Sequence, residues 1–546
     1  MKKLTVILLS FFATLSAAGQ ILRVDAPEGR IRQYGRADFS VTLKGSWENP
    51  FLQEEAALEM LLTAPSGKTL VVPCFYVEGE SGAESRWEAR IMPQEKGRYS
   101  YCFRYSEGGE AVSTSEEAVF EARRPRRGEH GILHVRDNWT LVYDDGTPFR
   151  GIGENLCWES RVKDDNRFFA ALHEQHERFN YDAMLPAFAK NGGNFTRFWM
   201  CPWNFPIDRH DDFNNDRYEP SDAYYNPSAV ARLDHVMALS EELGIRVMLC
   251  MGQGDVTADH AFFLSEEARA RMRNRLRYIV ARWGYSPSVA MWEFFNEIDN
   301  IQFYDKENPI PAEDIVAWHT EMAAYLKELD PFDHVVTTSI SHRDLAGLND
   351  VPDIDINQKH IYCATETIPS TIHRYEAAHG KPYVIGEYSY EWNWFKNFGE
   401  FEAGMVTDFR RGPWYGVFNP TPVTPMSWWW EWFDEKGVNG TFRPVRFVSD
   451  RMLCRGKGSF IPVAAEAKGA EAYAVRCGKR TYVYVFSPEG KTVEVRVDYP
   501  LRRACVRALD ADACRFVRQG CVRAAEGRIA FTADASRDGG VVFEIR

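Results

Sequence analysis

The stretch SVAMWEFFNEID (288–299) reads as a strand that ends in a cluster of polar and acidic residues, between two helical stretches, Ser265 to Trp283 and Ala312 to Leu329. Before it, IRVMLCMGQ (245–253) reads as a strand preceded by the helix SAVARLDHVMALSEELG (228–244). Further back stand the strand NFTRFWMC (194–201), the helix YDAMLPAFAKNG (181–192) closed by Gly192, and the strand RGIGENLCW (150–158). After it, HVVTTSIS (334–341), IDINQKHIY (354–362), PYVIGEYSY (382–390) and TPMSWWWEW (424–432) continue the series. Strands alternating with helices favour a parallel sheet, and eight such units suggest a closed (β/α)8 barrel with right-handed connections.

The chain has 546 residues, room for about three domains at roughly 150 residues each. Outside the barrel the pattern turns to short strands. Stretches such as FSVTLKGSW (39–47) and GRYSYCFRY (97–105) predict an immunoglobulin-like β-sandwich over 21–125. The basic, Pro-containing RRPRRGEHG (123–131) reads as a linker into the barrel, assigned to 126–444. From 445 to 546 β character returns, with Gly turns, and a second sandwich is expected. The fold class is therefore α/β: a TIM barrel flanked by two β-sandwiches.

Residues 1–20, MKKLTVILLSFFATLSAAGQ, have the basic start, apolar run and small-residue end of a secretory signal peptide, too short for a membrane span. Cleavage is expected between Ala18 and Gln20, which predicts an exported protein without membrane insertion. The net charge of −13 argues against a nucleic-acid partner, which demands a basic face. Aromatics reach 14%, with 16 Trp; they suit stacking on sugar rings, and filling large cores would account for them equally well. Eleven Cys show no CxxC and no zinc spacing. Cys157, Cys201 and Cys250 fall at strand ends as small core residues, while Cys74–Cys102 and a pair among Cys505, Cys514 and Cys521 are candidate disulfides.

Glycoside hydrolysis needs two carboxyl groups flanking the anomeric carbon. In a barrel they must sit at the C-terminal ends of strands. Two strand ends carry such a Glu: Glu297 in WEFFNEID and Glu387 in VIGEYSY. Asn-Glu after strand four, with Glu after strand seven, resembles clan A of the glycoside hydrolases, nearest to family five. The resemblance covers about 140–435 and implies a retaining enzyme with Glu297 as acid/base and Glu387 as nucleophile. It also implies that Asn296 and Arg197 contact substrate and nucleophile, with the Arg197 cation lowering the pKa of Glu387. His360 and Tyr362 on strand six, and Trp428 or Trp430 as an inward-facing sugar platform, complete the match. The family's usual Asn-Glu-Pro is absent, since Ile298-Asp299 follows Glu297. The resemblance implies β-linked glycosides as substrate, with no cofactor and no metal.

Four residues before Glu297 and on the same face by strand parity, Glu293 reads as a buried partner for Arg197 or a neighbouring donor. Glu154 and Asn155 are candidates for substrate hydroxyls or turn caps. Trp392, Trp394 and Trp432 read as cleft walls or core, and His319 as a surface or core histidine. Gly252-Gln-Gly lacks the GxxxxGK pattern of a phosphate loop. A non-catalytic carbohydrate-binding protein on the same scaffold is the competing reading.

Overall fold

A computed structural model describes residues 19–164, 166–252, 260–535 and 538–546. The expected leader therefore lies outside the described residues up to Ala18. Among the described residues no helix is long and apolar enough to cross a membrane.

The first β region pairs Gln20–Asp25, Ala37–Lys44, Glu84–Ile91 and Phe75–Gly79 in one antiparallel sheet. A second sheet joins Thr69–Pro73, Ala56–Thr63, Gly97–Glu107 and Glu110–Thr114, with Ala118–Ala122 also on Gly97–Glu107. Alternating burial along Ala37–Lys44 and Ala56–Thr63 turns Phe39, Val41, Leu58 and Met60 into one shared core with Trp87 and Phe103. Cys74 belongs to that core, whereas Cys102 follows the opposite parity on Gly97–Glu107 and leaves it. The expected Cys74–Cys102 bridge therefore does not form; their side chains point to different faces.

In the central region Phe195–Trp199, Arg246–Cys250, Val289–Glu293 and Val335–Thr337 form a parallel sheet in that order. Ser339–Ile340, Asn357–Tyr362 and Tyr383–Ser389 form another. Every residue of the first three strands is buried: one face packs with the other strands in a core that includes Phe195, Met248, Met291 and Val384, and the other joins the larger core with the helices. The helices Tyr181–Lys190, Pro227–Leu243, Glu266–Trp283 and Ala312–Leu329 match the sequence reading within two residues. Strands one and eight do not form ladders. Residues 150–157 instead touch both neighbours through single bridges, Gly151 to Val423, Glu154 to Ser427 and Asn155 to Arg197. The Tyr388–Ser427 bridge carries the contact on to Tyr383–Ser389.

The helix Phe442–Gly456 occupies the expected start of the last β region at Val445. Its buried residues Phe442, Val445, Val448, Ser449, Met452 and Leu453 recur at helical spacing. Strands follow from Ile461, in a six-stranded and a three-stranded antiparallel sheet. Among the described residues there is no disulfide, so neither the pairs expected of Cys505, Cys514 and Cys521 nor the earlier one is present. Cys505 and Cys521 do sit directly opposite each other on paired strands.

Candidate active site

Arg197, in the middle of Phe195–Trp199, is fully buried and each of its guanidinium nitrogens is engaged. Nε and Nη2 donate to the two oxygens of Glu293 at 2.6 and 2.8 Å, a bidentate pair. Nη1 donates to Glu387 Oε1 at 2.6 Å and Nη2 also to Asn296 Oδ1 at 2.8 Å. Gln358 Nε2 donates to Glu293 Oε1 at 3.0 Å. Strand parity thus predicted the Glu293–Arg197 pair correctly. Gln358 was overlooked although it shares parity with His360 and Tyr362 on Asn357–Tyr362.

Glu387, buried near the end of Tyr383–Ser389, accepts a second hydrogen bond on Oε2 from the Tyr362 hydroxyl at 2.5 Å. Glu297 lies beyond the end of Val289–Glu293, in left-handed backbone (φ 49°, ψ 56°) that opens the short helix Ile298–Gln302. Its N–H donates to Ser339 Oγ at 2.9 Å, and Asn300 Nδ2 donates to its Oε2 at 2.7 Å. His360 Nδ1 stands between the two carboxylates, 2.8 Å from Glu297 and 3.4 Å from Glu387. The ligand-type atoms of Glu297, His360 and Glu387 all lie within 4.8 Å of one another. That triad has the donor set for a divalent cation, but Arg197 already supplies the positive charge beside Glu387.

Burial pushes Glu297 up to about 7, with the neighbouring Asp299 charge adding to it and Arg197 and Asn300 opposing. Burial also raises Glu387; His360 and Arg197 oppose it without reversing it. Arg197 thus lowers the Glu387 pKa as expected, but burial outweighs it and the net shift is upward. The burial is complete, and half of the guanidinium's hydrogen bonding goes to Glu293. His360 is pushed down to about 4 by burial, so it is neutral near pH 7 and Arg197 is the cation that counts.

These groups open into a cavity of about 850 Å³ walled by tryptophans. Trp428 lies against Trp158, Trp199 and Trp430 at ring-centroid distances of 5.4, 5.1 and 5.2 Å. Trp428 and Trp430 line the cavity as alternation suggests, and Trp429 joins them because it is left-handed (φ 75°) and starts the helix Trp430–Glu435. Trp392 and Trp394 line its mouth and are exposed, whereas Trp432 is core. A further wall that the sequence reading missed pairs Arg161 with Asp164, and His173 with Glu431 at 3.2 Å. Asn155 takes no part in the cavity: its Nδ2 donates to the backbone of Gly386, Met426 and Ser427. Glu154 is buried beside Ser427, and His319 is core, bonded to Ile315 O.

Residues 30–106 match a family model described as a domain of unknown function (DUF5060). No curated protein matches the chain. A Bacteroides vulgatus protein assigned provisionally to the glycoside hydrolases superposes with a TM-score of 0.64 at 16% identity, over 95% of this chain and 99% of its own. A glycoside hydrolase family 5 protein from the same organism gives 0.51 at 13% identity, over 76% and 93%. The fold is that of glycoside hydrolases. On this glycoside hydrolase fold the six polar residues singled out in the sequence, Arg197, Asn296, Glu297, His360, Tyr362 and Glu387, form one connected network.

Proposed function

We propose that the chain is an exported, retaining glycoside hydrolase of clan A, acting on β-linked glycosides with Glu387 as nucleophile and Glu297 as acid/base. In this reading the two parallel sheets and the bridged segments 150–157 and 422–428 close one eight-stranded barrel, and the flanking β regions are accessory sandwiches. The observation that carries it is the approach of Glu297 and Glu387, with oxygens within 4.8 Å, at the floor of a tryptophan-walled cavity. Retention uses carboxyl groups ~5–5.5 Å apart, whereas inversion needs about 6.5–9.5 Å to admit a water.

The Glu387 carboxylate attacks the anomeric carbon while protonated Glu297 donates its proton to the departing glycosidic oxygen. A glycosyl ester on Glu387 results. Glu297, now a carboxylate, takes a proton from water, which attacks the same carbon and releases Glu387. Arg197 and the Tyr362 hydroxyl hold the Glu387 oxygens in place, and the asymmetry between the two carboxyls assigns the roles. The exposed Trp392 and Trp394 offer ring faces to sugars beyond the cleaved bond.

Screening aryl β-glycosides and plant polysaccharides identifies a substrate, and Glu387→Ala then abolishes its turnover with the fold intact. Glu297→Ala should lose activity on that aryl glycoside and recover part of it with azide, which replaces the water that no longer has a base. Near wild-type rates in Glu387→Ala would remove the nucleophile. Tight glycan binding by the wild type without any turnover would instead favour a binding protein.

A further inference from the structure

We propose that the C-terminal β region carries a second carbohydrate site, a face of seven arginines that binds an acidic polysaccharide. Charge along the chain is strongly divided. Residues 445–546 hold 19 Lys and Arg against 12 Asp and Glu, a net +7, so the overall −13 leaves −20 on residues 1–444.

Six arginines share one sheet face, and Arg451 joins them from the helix Phe442–Gly456. Strand register places Tyr482, Glu544, Arg507 and Arg518 in one cross-strand row. Hydrogen bonds between Arg546 and Cys505 place Arg546 beside Cys505 and Cys521 in the next row, and Arg503 faces Arg523 in a third. Glu544 is fully buried and collects Arg451 and Arg546 at 2.7 Å, Arg480 at 2.5 Å and Arg507 at 3.2 Å. Those guanidiniums hold its carboxyl down at about 2 against burial, so it stays charged. One carboxylate cannot neutralise four arginines. The remaining three add to the surplus: Arg518 bonds only Cys521 Sγ, and Arg503 and Arg523 make no ion pair among the described residues.

Two directly opposed Arg–Arg pairs, 503/523 and 507/518, are unfavourable in an isolated sheet. A polyanion laid across them converts that repulsion into attraction. The arginine rows recur about every 7 Å along a strand, two residues apart. That period suits a polymer with one carboxylate or sulfate per sugar better than duplex DNA, with a charge per ~1.7 Å of axis. Stacking of single-stranded bases needs exposed aromatic rings. The aromatics of this face, Tyr482 and Phe516, are buried. The site does not depend on the catalytic reading, because none of its residues lines the tryptophan-walled cavity.

The full chain should bind immobilised polygalacturonate, with affinity falling tenfold or more between roughly 20 and 200 mM NaCl. Arg503→Ser/Arg523→Ser, at exposed positions, should weaken binding by about fivefold or more with an unchanged melting curve, and Arg518→Ser should act in the same direction. No binding at low salt, or binding that neither variant weakens, overturns the proposal. Duplex DNA or anionic phospholipid vesicles binding as tightly, with the same sensitivity to both variants, would also overturn it by showing a face without preference for carbohydrate.

Discussion

Glu297 occupies a backbone conformation that costs a non-glycine residue on the order of 1–3 kcal/mol, and it is held there by the Ser339 hydroxyl. The turn lifts its carboxyl out of the strand and over His360, where burial and the Asp299 charge bring it to about 7. The direction of the resulting pH dependence follows from the role. An acid catalyst works while protonated, and the protonated fraction of Glu297 falls as pH rises through about 7. The profile of kcat/KM on an aryl glycoside should therefore show a basic limb near pH 7, which moves to lower pH in Asp299→Asn. A rate that stays flat to pH 9, or a limb that Asp299→Asn leaves in place, would assign the limb elsewhere. Much of this site was readable residue by residue. Period-two parity placed Glu293 inward, the family resemblance singled out Arg197, His360 and Tyr362, and strand ends carried both glutamates. At 428–430 the same parity favoured Trp428 and Trp430, which do line the cavity, but left out Trp429, because no periodicity announces that Trp429 turns left-handed. Nor does any local pattern link Ser339 or the His173–Glu431 pair to the site, since those contacts join residues 42 and 258 positions apart.

Long elements with a strong period were the easiest to read. The helix Ala312–Leu329 and the strand Arg246–Cys250 stand where the sequence placed them, each burying one continuous apolar surface. Strands one and eight were placed correctly in the chain but overestimated as ladders. The reason is visible at Gly151 and Gly153. A Cβ on Gly153 would lie 1.8 Å from the Phe195 carbonyl oxygen, and one on Gly151 2.9 Å from Phe195 and Val423 side-chain atoms. The backbone of 150–157 is thus wedged between its neighbours, touching them by single bridges. Gly153→Ala cannot be absorbed by a side-chain rotation, because the obstacle is backbone. Overpacking of this kind costs about 1–3 kcal/mol, and the separation of strands one and two would also disturb the Asn155–Arg197 bridge. The expected result is a lower melting temperature together with reduced kcat. A variant that melts like the wild type would mean that the wedge has slack.

At the scale of the whole molecule, the first β region is built into the central one. Phe51 reaches from a turn between strands into a ring cluster with Tyr224, Tyr225 and Tyr278, at centroid distances of 5.5, 5.1 and 5.7 Å. Around it, the Gln53 N–H donates to Asn274 Oδ1 at 2.8 Å, and Asn274 Nδ2 donates to Glu54 at 2.9 Å. Arg90 pairs with Asp234 at 3.2 Å, and Arg36 Nη1 reaches the Tyr285 hydroxyl at 3.0 Å. The partners lie on, just before or just after the helices Pro227–Leu243 and Glu266–Trp283, which pack against the parallel strands. Sequence patterns gave the two kinds of region and hid this seam, because its residues are isolated in the chain and share no period. A seam of aromatic rings with satisfied polar groups couples the two regions energetically, so they should unfold together. Truncating a buried Phe to Ala costs about 3–5 kcal/mol. Phe51 is only partly buried, and a loss of about 2–3 kcal/mol is expected for Phe51→Ala. Calorimetry should register it as a lower midpoint of one shared transition. If the variant instead gained a separate early transition for the first β region, with the main midpoint unmoved, the two regions would be independent and the seam merely a contact.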